Sequence, residues 1–242
     1  MKSELLNRIL SSIILIPLAI YFIIKGSFFL IFFLSILFLA SSYEWHQMSK
    51  KKFYFIPGIV FLLLSFVSAY LVRNIYGADF FLMIIVICVF TDLGGYIFGK
   101  LFKGPKLTKI SPNKTYAGMF GGFLLSVIAF TFFIENLEIF GFVNEFKGYQ
   151  MKINDLRNVL IVSLISQLGD LIISYFKRKS KIKNTGNFLP GHGGILDRID
   201  GIIFVVPIIY VALILIKWKK KIIILGSTGS IGQNTIKIIK KD

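Results

Sequence analysis

The feature that most constrains this chain is a series of long apolar runs. Seven of them recur along its 242 residues, at roughly residues 9–24, 28–40, 54–71, 80–98, 116–134, 159–176 and 202–218. Most approach the ~20 residues that an α-helix needs to cross a bilayer, although the second and seventh are short for a span. Hydrophobic residues make up 55% of the chain and charged residues only 17%, which is too little polar sequence to coat a water-facing surface. The sequence therefore predicts an all-α, polytopic integral membrane protein with about seven transmembrane helices.

The two ends of the chain need separate interpretation. A cleaved signal peptide is one interpretation of the first run, but a second run follows after little more than Lys25 and Gly26, which favours a retained helix. Residues 219–242 differ in character: four apolar residues, a glycine-rich turn and an amphipathic run are typical of the strand, turn and helix that open a nucleotide-binding domain. We therefore predict a transmembrane domain over residues 1–218 and a separate tail over residues 219–242.

The basic residues are sorted between alternate loops. The chain has 28 Lys and Arg against 12 Asp and Glu, a net charge of +16. The Lys and Arg residues concentrate before the first run and after the second, fourth and sixth runs. By the positive-inside rule, this places those loops in the cytoplasm. Lys217 and Lys219 to Lys221 break this pattern. In so apolar a chain the charge favours lipid and phosphate over nucleic acid as a partner. The single cysteine, Cys88, excludes an intrachain disulfide and a cysteine-based zinc site.

Polar residues inside the runs mark a candidate site. In the sixth run one helix face carries Ser163, Ser166, Gln167, Asp170 and Ser174. Interhelical hydrogen bonding accounts for the serines and the glutamine as well as a functional role does. A carboxylate at Asp170 needs a cation, which is either a metal ion or a lysine. Asp92 in the fourth run is expected to line the same cavity.

Two loops on the basic side carry residues suited to phosphate. The first contains Ser111-Pro-Asn-Lys114-Thr115, which supplies hydroxyl and ammonium donors. The second begins with the basic cluster from Lys177 to Lys183 and continues with glycines around His192. Gly193 and Gly194 let backbone amides approach a ligand closely.

At the end of the second loop, Asp197, Arg198 and Asp200 stand at the threshold of the last run. If that helix has begun, Asp197 and Asp200 share a face and are a natural pair of Mg²⁺ ligands. Carboxylates, fixed cations and glycine backbone together are what phosphoryl or nucleotidyl transfer needs, with a lipid phosphate as the acceptor. A transporter whose carboxylates bind a coupling ion is the alternative from another class, but the chain shows no inverted repeat and its carboxylates cluster near one surface.

The motifs of the second half are specific enough to compare with a known family. They comprise Ser174-Tyr-Phe-Lys177-Arg178, then Lys183 and Gly186, then Pro190-Gly-His192-Gly-Gly-Ile-Leu-Asp197-Arg198-Ile-Asp200. In residues and spacing they resemble the signature of the phosphatidate cytidylyltransferases, also called CDP-diglyceride synthetases. Ser111 to Thr115 with Gly118, and the stretch from Asp92 to Gly99, are similar to that family's other landmarks. The resemblance is specific from about Asp92 to Asp200.

The resemblance implies an enzyme that joins CTP and phosphatidate into CDP-diacylglycerol and pyrophosphate at the cytoplasmic face of the inner (plasma) membrane. It implies Mg²⁺, allows a monovalent cation such as K⁺, and allows a homodimer. By analogy Asp170, Asp197 and Asp200 hold the metal, and phosphates are bound by Lys114, Lys177, Arg178, Lys183 and Arg198. The analogy places Ser111, Thr115, His192, Gly193 and Gly194 at the substrate, with His192 either a phosphate donor or a structural loop residue. A CTP-dependent lipid kinase or another lipid nucleotidyltransferase is the alternative within enzymes.

Two departures from the family qualify these expectations. Asn184 and Ala117 stand where the family usually has Asp and Glu, so each position lacks a carboxylate. Asn184 keeps a carbonyl acceptor, whereas Ala117 keeps no polar group.

The tail resembles the amino-terminal strand, phosphate loop and helix of 1-deoxy-D-xylulose 5-phosphate reductoisomerase, with Gly226, Gly229 and Gly232 at its loop. It holds only the beginning of a dinucleotide-binding unit, and we expect it to be non-functional.

Overall fold

The computed structural model describes residues 15–50, 52–108, 110–140, 142, 151–186 and 193–219. Between the connecting loops these residues form helices, and one of the loops contains an isolated antiparallel bridge between Lys106 and Thr115. The helices are α1 (Leu15–Lys25), α2 (Ser27–Ser49), α3 (Phe55–Tyr76), α4 (Ala78–Phe102), α5 (Tyr116–Glu135), α6 (Ile153–Lys179), α7 (Leu196–Ile199) and α8 (Ile202–Lys219), with a 3₁₀ turn at Leu137–Phe140. Among the described residues five helices, α2 to α6, are long and apolar enough to cross a membrane. The all-α membrane class is confirmed; the count of seven spans is not.

The prediction that the second run is short for a span was wrong. α2 continues from the apolar run through a more polar end and reaches 23 residues. Its last part includes Ser41, Glu44 and Ser49, all of which are buried. These side chains face protein rather than lipid, so hydropathy alone placed the end of the helix too early.

Among the helices of the described residues, α4 and α5 pack against each other most extensively. Gly94 on α4 faces Gly121 and Gly122 on α5, and a methyl group built on Gly94 would lie 2.8 Å from the Gly121 carbonyl carbon. Small residues at such a contact let two backbones approach, which is the main source of helix association where lipid is the solvent. The pair fixes the end of α4 against the beginning of α5.

The ends of the helices alternate between two levels, and the basic loops share one of them. Lys52, between α2 and α3, donates a 3.1 Å hydrogen bond to Ser180 Oγ at the end of α6, and Ser180 donates to the Met48 carbonyl at 2.7 Å. At the other level Arg73 of α3 donates to the carbonyls of Ile23 and Ile24 at the end of α1. Two of the loops predicted to lie on one side, those after α2 and after α6, therefore meet, whereas the basic segment before the first run lies outside the described residues.

A buried hydrophobic cluster packs against α7. Trp45 and Met48 of α2 pack with Leu62, Ile173 and Leu196, and Leu196 on α7 is fully buried. The Trp45 indole donates a 3.1 Å hydrogen bond to the Phe55 carbonyl.

The chain divides into two compact units, Met1–Ile208 and Ile209–Asp242. The predicted tail lies almost wholly outside the described residues.

Candidate active site

A polar pocket of about 440 Å³ opens between α4, α5, α6 and α7. Its size is typical of small-molecule sites. It lies at the level of the basic loops, and its walls come from the second half of α4, the α4–α5 loop, the start of α5, the second half of α6 and the residues around α7. Among its lining residues are Asp92, Ser111, Lys114, Thr115, Gln167, Asp170, Lys177, Asn184, Asp197, Arg198 and Asp200. The fold thus brings together predicted site residues that are widely separated in sequence.

Asp170 is paired with a lysine. Lys114 Nζ lies 2.5 Å from Asp170 Oδ2, with about a quarter of each side chain exposed. Ser174, one turn further along α6, donates to Asp170 Oδ1 at 3.3 Å. Of the two cations that the sequence left open, the lysine occupies this position in the structure. The polar face predicted for α6 is also confirmed, because Ser163 and Ser166 are fully buried and Gln167 and Asp170 line the pocket.

Asp197 is held by three donors. Its Oδ1 accepts a 2.7 Å hydrogen bond from Lys177 Nζ, and its Oδ2 accepts from the backbone amides of Thr185 at 2.8 Å and Gly194 at 3.4 Å. Gly193 has φ +86°, which glycine adopts without strain. The glycines predicted to bring amides to a ligand therefore bring one of them to Asp197.

Asp200 follows α7 directly and is 5% exposed. Burial raises the pKa of its carboxyl well above the usual range, and the nearby charges of Asp170 and Asp92 raise it further. α7 is a separate short helix, so Asp197 and Asp200 belong to a turn that precedes the last long helix rather than to that helix.

The carboxylates of the pocket are suited to an Mg²⁺ ion that is bound together with phosphates. Within the described ranges no three histidine, cysteine or carboxylate side chains are close enough to hold one metal ion. Mg²⁺ bound with phosphates needs only one or two carboxylates, and Asp170, Asp197 and Asp200 line the same pocket. The three-aspartate metal site stays a prediction.

The Ser111 to Thr115 segment forms a turn at the start of α5. Thr115 is the N-cap of that helix, and its hydroxyl accepts a 3.1 Å hydrogen bond from the Gly118 amide. The Leu107 amide donates to the Lys114 carbonyl at 2.8 Å and so folds the loop back on itself. The motif therefore has a structural role as well as a place at the pocket wall.

Other predicted residues lie away from the pocket lining. Arg178 and Lys183 are exposed at the end of α6 and in the loop after it. Gly193 and Gly194 contact Asp197 and its surroundings rather than lining the pocket. His192 lies outside the described residues.

Sequence analysis did not identify Glu44 on α2. This carboxylate is 1% exposed and contacts the start of α7. The signal that would have identified it is the rule that an ionisable residue inside an apolar helix is a functional candidate. Of the two positions that depart from the family, Asn184 lines the pocket beside Asp197, whereas Ala117 is not among the described lining residues.

The chain is similar to known proteins over most of its length. Residues 64–216 match the model of the cytidylyltransferase family. The chain is 34% identical over 217 residues to phosphatidate cytidylyltransferase of Rickettsia felis, covering 86% of this chain and 92% of that protein. It is 36% identical over 219 residues to the enzyme of the same name from Rickettsia conorii, covering 86% and 91%. The corresponding Staphylococcus aureus protein is 38% identical over 175 residues, covering 69% and 63%.

The tail matches a different family. Residues 222–242 match the model of 1-deoxy-D-xylulose 5-phosphate reductoisomerase, as their resemblance predicted. The main match includes every residue of the polar pocket, from Asp92 to Asp200. The chain is an enzyme that belongs to the cytidylyltransferase family.

Proposed function

We propose that this chain transfers CMP from CTP to phosphatidate, giving CDP-diacylglycerol and pyrophosphate. The observation that carries the proposal is that one polar pocket is lined by Asp170, Asp197, Asp200, Lys114, Lys177 and Arg198. The choice of CTP and phosphatidate as substrates is based on the relatives named phosphatidate cytidylyltransferase. The pocket supplies both the cations that hold phosphates and the carboxylates that suit Mg²⁺.

The reaction needs no protein nucleophile. A phosphate monoester has a second pKa near 6, so its oxygen is largely deprotonated at neutral pH without a general base. That oxygen attacks the α-phosphorus of CTP, the bond between the α-phosphorus and its bridging oxygen breaks, and pyrophosphate leaves with the electron pair. Lys114, Lys177 and Arg198 bind and orient the phosphates. Mg²⁺ held by Asp170, Asp200 and Asp197 would neutralise charge on the attacking and leaving oxygens.

We further propose seven spans in the inner membrane, with the pocket facing the cytoplasm. Support comes from the two shorter apolar helices, α1 and α8, which add to the five long ones. The basic loops meet at the level of the pocket, as the positive-inside rule expects of a cytoplasmic face. Membrane lipid is then the immediate surroundings of the substrate. A homodimer and a monovalent cation enter the proposal on the family resemblance alone.

The test is an assay with CTP and phosphatidate in detergent micelles, with Mg²⁺ or EDTA, for the intact chain and for Asp197→Asn. We expect Mg²⁺-dependent formation of CDP-diacylglycerol with equimolar pyrophosphate, and a loss of roughly 100-fold in the variant. Release of CDP with a newly phosphorylated lipid would show a kinase instead. Absence of any product from well-folded protein would refute the proposal.

A further inference from the structure

Glu44 is a buried carboxylate that does not line the pocket, and it binds the segments next to Asp197, one of the pocket's acidic residues. Glu44 on α2 accepts three hydrogen bonds of 2.8 Å. Its Oε1 accepts from the Ile195 amide, and its Oε2 accepts from the Leu196 amide and the Thr185 hydroxyl. All three partners are donors, so the side chain acts here with both oxygens as acceptors.

The three donors belong to two segments that are separate in sequence. Thr185 lies in the loop after α6, whereas Ile195 and Leu196 begin α7. Thr185 also donates its backbone amide to Asp197 Oδ2 at 2.8 Å. One residue therefore contacts Glu44 through its side chain and Asp197 through its backbone.

The loop has no room for side chains where it closes over Glu44. A methyl group on Gly186 would lie 2.6 Å from Glu44 Oε1, and one on Gly194 would lie 2.5 Å from Oε2. Both distances are below any ordinary contact. The glycines thus allow the two segments to meet around one buried carboxylate.

We propose that Glu44 is a positioning residue that holds Asp197 and Arg198 at the wall of the pocket. It does so by fixing Thr185 and the start of α7, on which Asp197 and Arg198 lie. A carboxamide at position 44 would turn its NH₂ group toward a backbone N–H and leave a buried donor unpaired. The inference rests on the proposed function for its activity readout, and its first test is independent of activity.

The first test is amide hydrogen exchange of the full-length chain in detergent, comparing the parent with Glu44→Gln. We expect peptides that contain Thr185, Ile195 and Leu196 to exchange at least about tenfold faster in the variant, with α4 and α5 unchanged. The matched control is Ser41→Ala, one turn earlier on α2, because Ser41 is equally buried but donates only to Leu37 of its own helix. Unchanged exchange in Glu44→Gln would overturn the proposal.

The second test is a double-mutant cycle of activity with Asp197→Asn. We expect Glu44→Gln to lower kcat/KM at least about tenfold in the parent but less than about threefold in the Asp197→Asn background, because the two changes disable the same element. Ser41→Ala is expected to keep the parental rate. An equal loss in both backgrounds would show that Glu44 acts only on general stability.

A milder variant covers the case in which Glu44→Gln does not fold. Thr185→Val removes one donor and leaves the carboxylate with its two backbone partners. We expect a loss of about threefold in kcat/KM that again shrinks in the Asp197→Asn background. No loss from Thr185→Val would contradict the proposal. If the parent makes no CDP-diacylglycerol, the proposed function fails while the exchange experiment still decides the role of Glu44.

Discussion

Replacing Gly94 with alanine tests whether the close packing of α4 and α5 holds the pocket together. A methyl group on Gly94 would lie 2.8 Å from the Gly121 carbonyl carbon and 2.9 Å from Gly122 Cα, with the Gly121 carbonyl oxygen closer still. These are backbone atoms of α5, so no side-chain rotation relieves the contact. The neighbouring Gly95 offers a matched control, because a methyl group there would lie no closer than 3.8 Å to its nearest neighbour, the Gly118 carbonyl oxygen.

The expected magnitude follows from comparing these two positions. An alanine gains about 0.8–1.0 kcal/mol of helix propensity over glycine, and both positions share that gain. Gly94→Ala alone adds an overpacking cost, which is typically about 1–3 kcal/mol. We expect the upper part of that range, because the contacting atoms belong to the rigid backbone of α5, and the whole helix must move away from α4 by several tenths of an ångström. Gly94→Ala should therefore be less stable than Gly95→Ala by roughly 2–3 kcal/mol.

The assay is unfolding in mixed micelles titrated with a denaturing detergent, followed by circular dichroism, for the parent and both variants. We also expect folded Gly94→Ala to lose activity, because separating α4 from α5 moves Asp92 away from Lys114. Equal stability of the two alanine variants would refute the packing account of this helix pair.

Two further predictions concern the pocket cation and the tail. Lys114→Met removes the ammonium group next to Asp170 and should lower kcat at least about 100-fold, whereas Lys106→Met, in the same loop but exposed, should stay within about twofold in the CTP and phosphatidate assay. A parental rate for Lys114→Met would remove Lys114 from the site. A chain that ends at Trp218 should retain full activity in that assay, because the pocket lies entirely before that residue; lost activity in a folded truncation would assign the tail a role.

Most residues that line the polar pocket were predictable because they belong to local motifs. Asp170 was identified as an ionisable residue in an apolar run, and Asp197 and Asp200 as a closely spaced acidic pair. Both inferences need only helix periodicity and the cost of charge in lipid. The prediction of α2 as a short helix failed for the opposite reason, since its buried polar end is stabilised by contacts with residues far away in sequence.

The sequence by itself determined the membrane class, the alternation of basic loops, the family and most of the pocket residues, because apolar length, charge sorting and motif spacing are local properties of the chain. The tertiary structure decided which charges meet: Asp170 with Lys114, Asp197 with Lys177, and Glu44 with the start of α7. Those pairings depend on how closely α4 packs on α5 and on where the loop after α6 closes. Both are set by contacts between helices, and no local pattern of residues encodes them.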